Sequence, residues 1–338
     1  MLDWFVLLTP LLLLPIVLLF VFVGCEFTVQ GLTPPFGQPG DIPVPGDYYN
    51  EGVARAAVYR PSTGVWEIFK GDIFQSTTSE TRPIPFPIPR MDGDVPVPGD
   101  YGAGHTELGV FRPSTAGVSA KWFIFDPVSN VARQFTFPVN TQAGDIPLPP
   151  GNYLGAGSVS VVVFRPSTAE WFFSDVNGNQ SHQPVKIIGG HSDDKPVPGD
   201  YLGIGTTQMA VFQPSVGKWF VSPVGSNIIT RLPADNFVPF NSASDTVLPP
   251  RLYLKPGPYP YAVGPAIYHS TDGTYELFDL NGEHIRLVNT IIPPPLSAMN
   301  GDLAAPGEYD GYGLTEAVIF RPAGGMWFKA DFTVIGGY

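Results

Sequence analysis

Cysteine is nearly missing from this chain: Cys25 stands alone among 338 residues, so no disulfide can form within it. Charge is also scarce, at 14% of residues, and it leans acidic, with 18 Lys and Arg against 30 Asp and Glu and a formal net charge of −12. That balance repels a phosphate backbone and leaves no basic stripe, which excludes nucleic acid as a partner. Five histidines, His105, His182, His191, His269 and His284, show no metal-ligand spacing. There is no GxSxG, no glycine-rich phosphate loop and no cysteine paired with histidine, so no catalytic motif is legible. Beyond residue 26, no segment shows a capped amphipathic helical period.

Turn formers and apolar residues are abundant instead. With 38 Gly, 39 Pro and 43% hydrophobic residues, the chain has many reversals and enough apolar material for a large core. The N-terminus stands apart. From Trp4 to Gly24 it is uncharged and mostly aliphatic, matching the roughly 20 residues that cross a bilayer as a helix. Pro10 and Pro15 are better tolerated in a spanning helix than in a soluble one. Three readings compete. A cleaved signal peptide needs a basic start, but Asp3 is the only charge before Glu26 and the first Arg is Arg55. A lipoprotein signal is suggested by FVGC at 22–25, with Cys25 as the acylated residue. A retained transmembrane anchor over residues 4–24 is the preferred expectation, and no Lys or Arg lies near enough to orient it.

From residue 41 the chain repeats itself. An Asp opening a Pro-containing phrase recurs at Asp41, Asp94, Asp145, Asp194, Asp245 and Asp302, about 50 residues apart. Each phrase precedes a loop, an apolar run (ARAAVY, ELGVF, VSVVVF, QMAVF, PAIY, EAVIF), a turn, and an aromatic run (WEIF, KWFIF, WFF, KWF, YELF, MWF). Four units add a further β-prone run. Roughly four short strands in each of six units predicts an all-β, six-bladed β-propeller, in which each blade hides its faces against its neighbours. The expected layout is an anchor or signal over 1–25, a linker and closing strand over 26–40, and blades near 41–93, 94–144, 145–193, 194–244, 245–301 and 302–338. The last unit ends abruptly, so FTVQ at 27–30 is expected to supply its missing strand.

The phrase GDIPVPGDYYNEGVARAAVYRPSTGVW at 40–66 resembles the bacterial FG-GAP/VCBS-type repeat, which reads GDxPVPGDYDGDGKTDLAVYRPSTGxW. The resemblance spans 41–338, although the fifth unit matches mainly by position. It implies an extracytoplasmic, integrin-like propeller, periplasmic or on the cell surface, of a kind used for adhesion or display. It also implies a calcium loop, with carboxylates at positions one, three, five and nine. Calcium takes six to eight oxygens, so each lost carboxylate weakens the site. The first unit keeps Asp47 and Glu51 but has Tyr49 third and Arg55 ninth. The second keeps Asp100 and Glu107 in a shortened loop. The third offers Asn152 and Ser160 around Leu154. The fourth has Asp200 and Gln208 around Leu202 and Ile204. Only the sixth keeps three acids, Glu308, Asp310 and Glu316, with Tyr312 fifth, so a single Ca²⁺ there is the one candidate cofactor.

Tyr49, Leu154, Leu202, Ile204 and Tyr312 thus place apolar groups where carboxylates would be. Either they fold inward or they form a rim for a protein or membrane partner. The aligned Trp66, Trp122, Trp171, Trp219 and Trp327, with Tyr275, are expected as wedges between blades, the alternative being sugar stacking. Arg60, Arg112, Arg165 and Arg321 are expected to pair with the Asp of the repeated phrase and fix one blade to the next, the alternative being an anion-binding channel. The functional expectation is a non-catalytic, membrane-tethered, protein-binding subunit of a larger membrane or cell-surface assembly. A carbohydrate-binding surface lipoprotein and a degenerate glycan hydrolase are the alternatives.

Overall fold

The computed structural model describes residues 35–76, 80–115, 117–155, 157–186, 191, 193–225, 230–232, 245–248, 250, 263–271, 274–279, 284–289, 301–311 and 315–329. Six antiparallel sheets follow one another along the chain. The first holds β1 (Ile42–Pro43), β2 (Ala57–Arg60), β3 (Val65–Phe69) and β4 (Thr81–Pro85); the second β5 (Val95–Pro96), β6 (Leu108–Arg112), β7 (Lys121–Asp126) and β8 (Val131–Thr136). The third holds β9 (Ile146–Gly151), β10 (Ser160–Arg165), β11 (Glu170–Asp175) and β12 (Gln180–Lys186); the fourth β13 (Lys195–Pro196), β14 (Met209–Gln213), β15 (Lys218–Ser222) and β16 (Thr230–Leu232). The fifth holds β17 (Thr246–Leu248), β18 (Val263–His269), β19 (Thr274–Asp279) and β20 (His284–Asn289). The sixth shows three strands among the described residues, β21 (Leu303–Ala304), β22 (Val318–Arg321) and β23 (Met326–Lys329). Every sheet is a meander whose strands pair in sequence order, the arrangement of propeller blades.

Register explains why these segments are strands. The aromatic that ends each second strand lies directly opposite the aromatic that opens the third: Tyr59 on Trp66, Phe111 on Trp122, Phe164 on Trp171, Phe212 on Trp219, Tyr268 on Tyr275 and Phe320 on Trp327. Their ring centroids are 4.5 to 5.3 Å apart, within the range where tilted aromatic pairs attract beyond the area they bury. All five aligned tryptophans are buried. They are wedges and cannot serve as sugar platforms.

The core is a series of layers between sheets. Tyr59, Trp66 and Ile68 of the first sheet pack with Leu108, Val110 and Phe123 of the second. Similar layers join second to third through Phe111, Trp122 and Val163, third to fourth through Phe164, Trp171 and Val211, and fourth to fifth through Phe212, Trp219 and Ile267. From the fifth to the sixth, the Tyr275 hydroxyl donates to the Val318 carbonyl at 3.0 Å. The last sheet meets the first, because Val318, Phe320 and Trp327 share a cluster with Val58 and Phe69. Phe36 fastens that junction: its N–H donates to the Gly325 carbonyl at 2.7 Å and its own carbonyl accepts from Trp327 Nε1 at 3.0 Å. The proposed closing strand at 27–30 lies outside the described residues, as does the apolar stretch 4–24. Among the described residues no helix is long and apolar enough to cross a membrane.

Candidate functional site

The repeated phrase places an arginine and an aspartate at one end of each sheet. Ile42 lies opposite Tyr59, so Asp41 and Arg60, one residue further along each strand, face each other. Arg60 Nε and Nη2 donate to Asp41 Oδ1 and Oδ2 at 3.0 and 2.9 Å. Arg112 grips Asp94 at 2.7 and 2.8 Å, Arg165 grips Asp145 at 2.9 and 2.8 Å, and Arg321 grips Asp302 at 2.8 and 2.7 Å. In the fifth sheet His269 Nδ1 lies 3.1 Å from Asp245. The expected partners are therefore right but the expected span is corrected: each ion pair closes on its own sheet, because the two strands are hydrogen-bonded neighbours. Only the second guanidinium nitrogen reaches back to the preceding unit, from Arg112 to the Pro89 carbonyl at 2.8 Å and from Arg165 to that of Asn140 at 3.1 Å. Each guanidinium is held against a carboxylate of its own sheet, so its charge is answered locally and is a poor attractor for an anion.

The opposite end carries the loops that resemble calcium loops, and here the carboxylates have been given other work. Asp47 accepts from Glu51 N and Gly52 N, both at 2.9 Å, and Asp100 from Gly102 N and Gly104 N at 2.8 and 2.9 Å. Asn152 accepts from Gly157 N at 3.2 Å, and Asp200 from Ile204 N and Gly205 N at 3.0 and 2.9 Å. The ninth-position side chain closes the loop from the other side. Glu107, Gln208 and Glu316 accept the N–H of Tyr101, Leu202 and Tyr309 at 3.0, 3.1 and 2.7 Å. The tyrosine after the first position is buried in each described loop, and its hydroxyl donates to the carbonyl four residues earlier, as from Tyr48 to Val44 at 2.6 Å. These loops are folded by their own hydrogen bonds.

Built-in cations also stand beside the acids. Arg55 bonds Glu51 in the first loop, and Arg133 of β8 bonds Glu107 at 3.0 Å in the second. In the sixth, Lys329 of β23 bonds Asp310 and acts on Glu316, so two of the three candidate ligands Glu308, Asp310 and Glu316 already have an ammonium group beside them. Burial pushes the Glu316 carboxyl up; the Tyr309 N–H and Lys329 oppose this, the neighbouring Asp310 adds to it, and the result is about 7. Burial likewise raises Glu107, against the pull of Arg133. Among the described residues no group of three or more His, Cys, Asp or Glu is arranged to hold a metal. Sequence reasoning missed Arg133 and Lys329 because they lie on the later strands of the blade, outside the loop motif.

The loops also join neighbouring sheets. The Asp47 carbonyl accepts from Thr106 N at 2.9 Å and the Asn152 carbonyl from Thr207 N at 3.0 Å, while the Glu308 carbonyl of the last sheet accepts from Ala54 N of the first. Glycine before the loop permits this approach: a Cβ on Gly46 would lie 2.6 Å from Thr106 Cγ2, and one on Gly151 2.6 Å from Thr207 Oγ1.

The apolar loop residues divide. Tyr49 packs on the layer between the first and second sheets and Leu154 on that between the third and fourth. Leu202 and Ile204 face solvent, at 46% and 62% exposure. Tyr312 and Cys25 lie outside the described residues. The same end bears exposed Val128 and Val131 on the β7–β8 hairpin, tied to the loop by His105 Nε2 and Asp126 Oδ1 at 2.9 Å.

No family model and no curated protein matches the chain. Solved structures do. A chain from the crystal structure of BBS1N in complex with ARL6DN is similar at a TM-score of 0.51 and 12% identity, covering 92% of this chain and 97% of its own length. An Agrocybe aegerita lectin, whose structure concerns recognition of non-reducing terminal N-acetylglucosamine, is similar at a TM-score of 0.51 and 10% identity, over 88% of this chain and 81% of its own. At such identities the likeness establishes a propeller fold and nothing of the ligand.

Proposed function

We propose that this chain is a non-catalytic propeller of the FG-GAP/VCBS type, closed as six blades, that binds a protein partner through its loop end. In this reading residues 4–24 tether it to a membrane and the propeller stands on the extracytoplasmic side as a subunit of a larger assembly. The observation that carries the reading is the fourth loop. Asp200 holds the backbone N–H groups of Ile204 and Gly205, Gln208 holds that of Leu202, and the tip presents Leu202 and Ile204 to solvent. A preordered apolar tip loses little conformational freedom on docking, which is how a small patch gains affinity. The buried tryptophans argue against the lectin alternative, since the aligned rings are unavailable to sugar. The likeness to a propeller solved with a protein bound is a precedent of architecture alone.

The test is co-purification in detergent of the full chain against a Leu202→Ser, Ile204→Ser variant. We expect stoichiometric integral membrane proteins with the native chain and their loss from the variant, with the melting temperature unchanged. Recovery of both chains alone, with Cys25 lipidated, would overturn the reading in favour of an adhesive lipoprotein.

A further inference from the structure

The N-terminal part of the chain enters the propeller at a prepared seat. Phe36 is buried, its ring stacked on Trp327 with centroids 6.0 Å apart and edge-on to Phe69 at 5.5 Å. Gly325 makes room for it, since a Cβ there would lie 2.9 Å from Phe36 N and 2.6 Å from the Gly37 carbonyl oxygen. The second sheet holds the same arrangement. There Phe137, which follows β8 directly, donates its N–H to the Ala120 carbonyl at 2.9 Å, and its ring lies 5.8 Å from that of Trp122. Ala120 and Gly325 each stand two places before the aligned tryptophan, so Phe36 takes on the sixth sheet the place that Phe137 takes on the second.

What leads into that place has a direction. β8 runs antiparallel to β7, from Val131 opposite Asp126 at the loop end to Thr136 opposite Lys121 at the arginine end. Carried over to the sixth sheet, the same register sets Thr33 opposite Phe328 and takes the chain from Phe36 back along β23 towards the loop end. The prolines before Phe36 suit an outermost strand, and β4 has Pro83 and Pro85 in that position. Residues 25–29 would then be all that separates this strand from the apolar stretch 4–24, a reach of about 17 Å when fully extended. A chain leaving at the arginine end would have all of 25–35 as its tether, with a reach of about 38 Å.

We propose that residues 30–35 run beside β23 as the outer strand of the sixth sheet and bring the chain out at the loop end, so that a protein partner embedded in the bilayer meets Leu202 and Ile204 while the arginine end faces away. The strand stands on the Phe36 seat; the orientation rests as well on the membrane tether proposed above.

Two measurements on the full chain in a Cys25→Ser background test it. Thr33→Cys with Phe328→Cys should form a disulfide on mild oxidation and Phe27→Cys with Phe328→Cys should not, read by mass spectrometry of the linked peptides. Leu32→Cys with Lys329→Cys is the neighbouring pair to use should the first variant melt lower. Failure of the in-register pairs, or equal linkage in the out-of-register one, would overturn the strand. For the orientation, a bimane label is placed on Ile204→Cys or on Val216→Cys, which is exposed at the opposite end, in phosphatidylcholine vesicles with a nitroxide on the headgroup. We expect loss of fluorescence at 204 and little loss at 216; the reverse, or equal loss, would overturn the orientation. Release of the chain from membranes by alkaline carbonate would overturn the tether and the orientation together, and the disulfide result would still decide the strand.

Discussion

The two ends of each sheet solve their electrostatics differently. At the arginine end four sheets use one device, a bidentate Asp–Arg pair, and the geometry hardly varies between them. At the loop end, the same kind of loop is neutralised by Arg55 within the loop in one unit, by Arg133 from a neighbouring strand in another, and by Lys329 in a third. Repetition is enforced where alternatives are few. A buried carboxylate between two paired strands admits few partners, whereas a loop at the solvent edge can be closed by any donor that reaches it.

The largest effects should come from the layers that both ends depend on. Trp122→Ala should cost about 3–5 kcal/mol, because the ring is fully buried between the second and third sheets and a cavity would replace it. Denaturant melts would show this, and a cost below about 1 kcal/mol would show that the layers are loosely packed. Removing one partner of the most buried ion pair, as in Arg321→Leu, should destabilise by about 3 kcal/mol by leaving Asp302 uncompensated. The same change at Arg112, which is more exposed, should cost less. Equal losses would break the comparison between sites. Gly46→Ala, at the loop end, should cost about 1–3 kcal/mol through its clash with Thr106.

Smaller effects sharpen the contrast at the sixth loop. Glu316 keeps its proton in the folded chain up to about pH 7, whereas the unfolded chain releases it in the ordinary glutamate range. Its contribution is therefore fully present at low pH, declines as pH rises towards 7, and is gone above. Thermal melts between pH 5 and 8 should show that decline in the native chain and lose it in Glu316→Gln. The smallest expected effect is that of calcium removal: with Lys329 bonded to Asp310, EGTA should move the melting temperature by less than about 1 °C. A large drop would place an ion in the sixth loop and reverse the assignment of Lys329.

Much of the architecture was legible beforehand. The spacing of Asp41 and its copies, the alternating apolar runs and the aligned tryptophans specify short paired strands and a common wedge, since a blade cannot bury two faces alone. The Asp–Arg partnership was legible too, because two opposite charges recur at fixed offsets. Its span was not, since sequence spacing does not reveal that strand pairing sets the two residues face to face within one sheet.

The repeat, the strand periodicity and the substitutions in the calcium-like loops follow from the order of residues, because those are properties of near neighbours along the chain. Only the packing of the sheets settled that Tyr49 and Leu154 fold inward while Leu202 and Ile204 do not, and that Lys329 reaches Asp310. Each of these depends on which side chains from distant segments share a space, and that follows from how the sheets pack against one another.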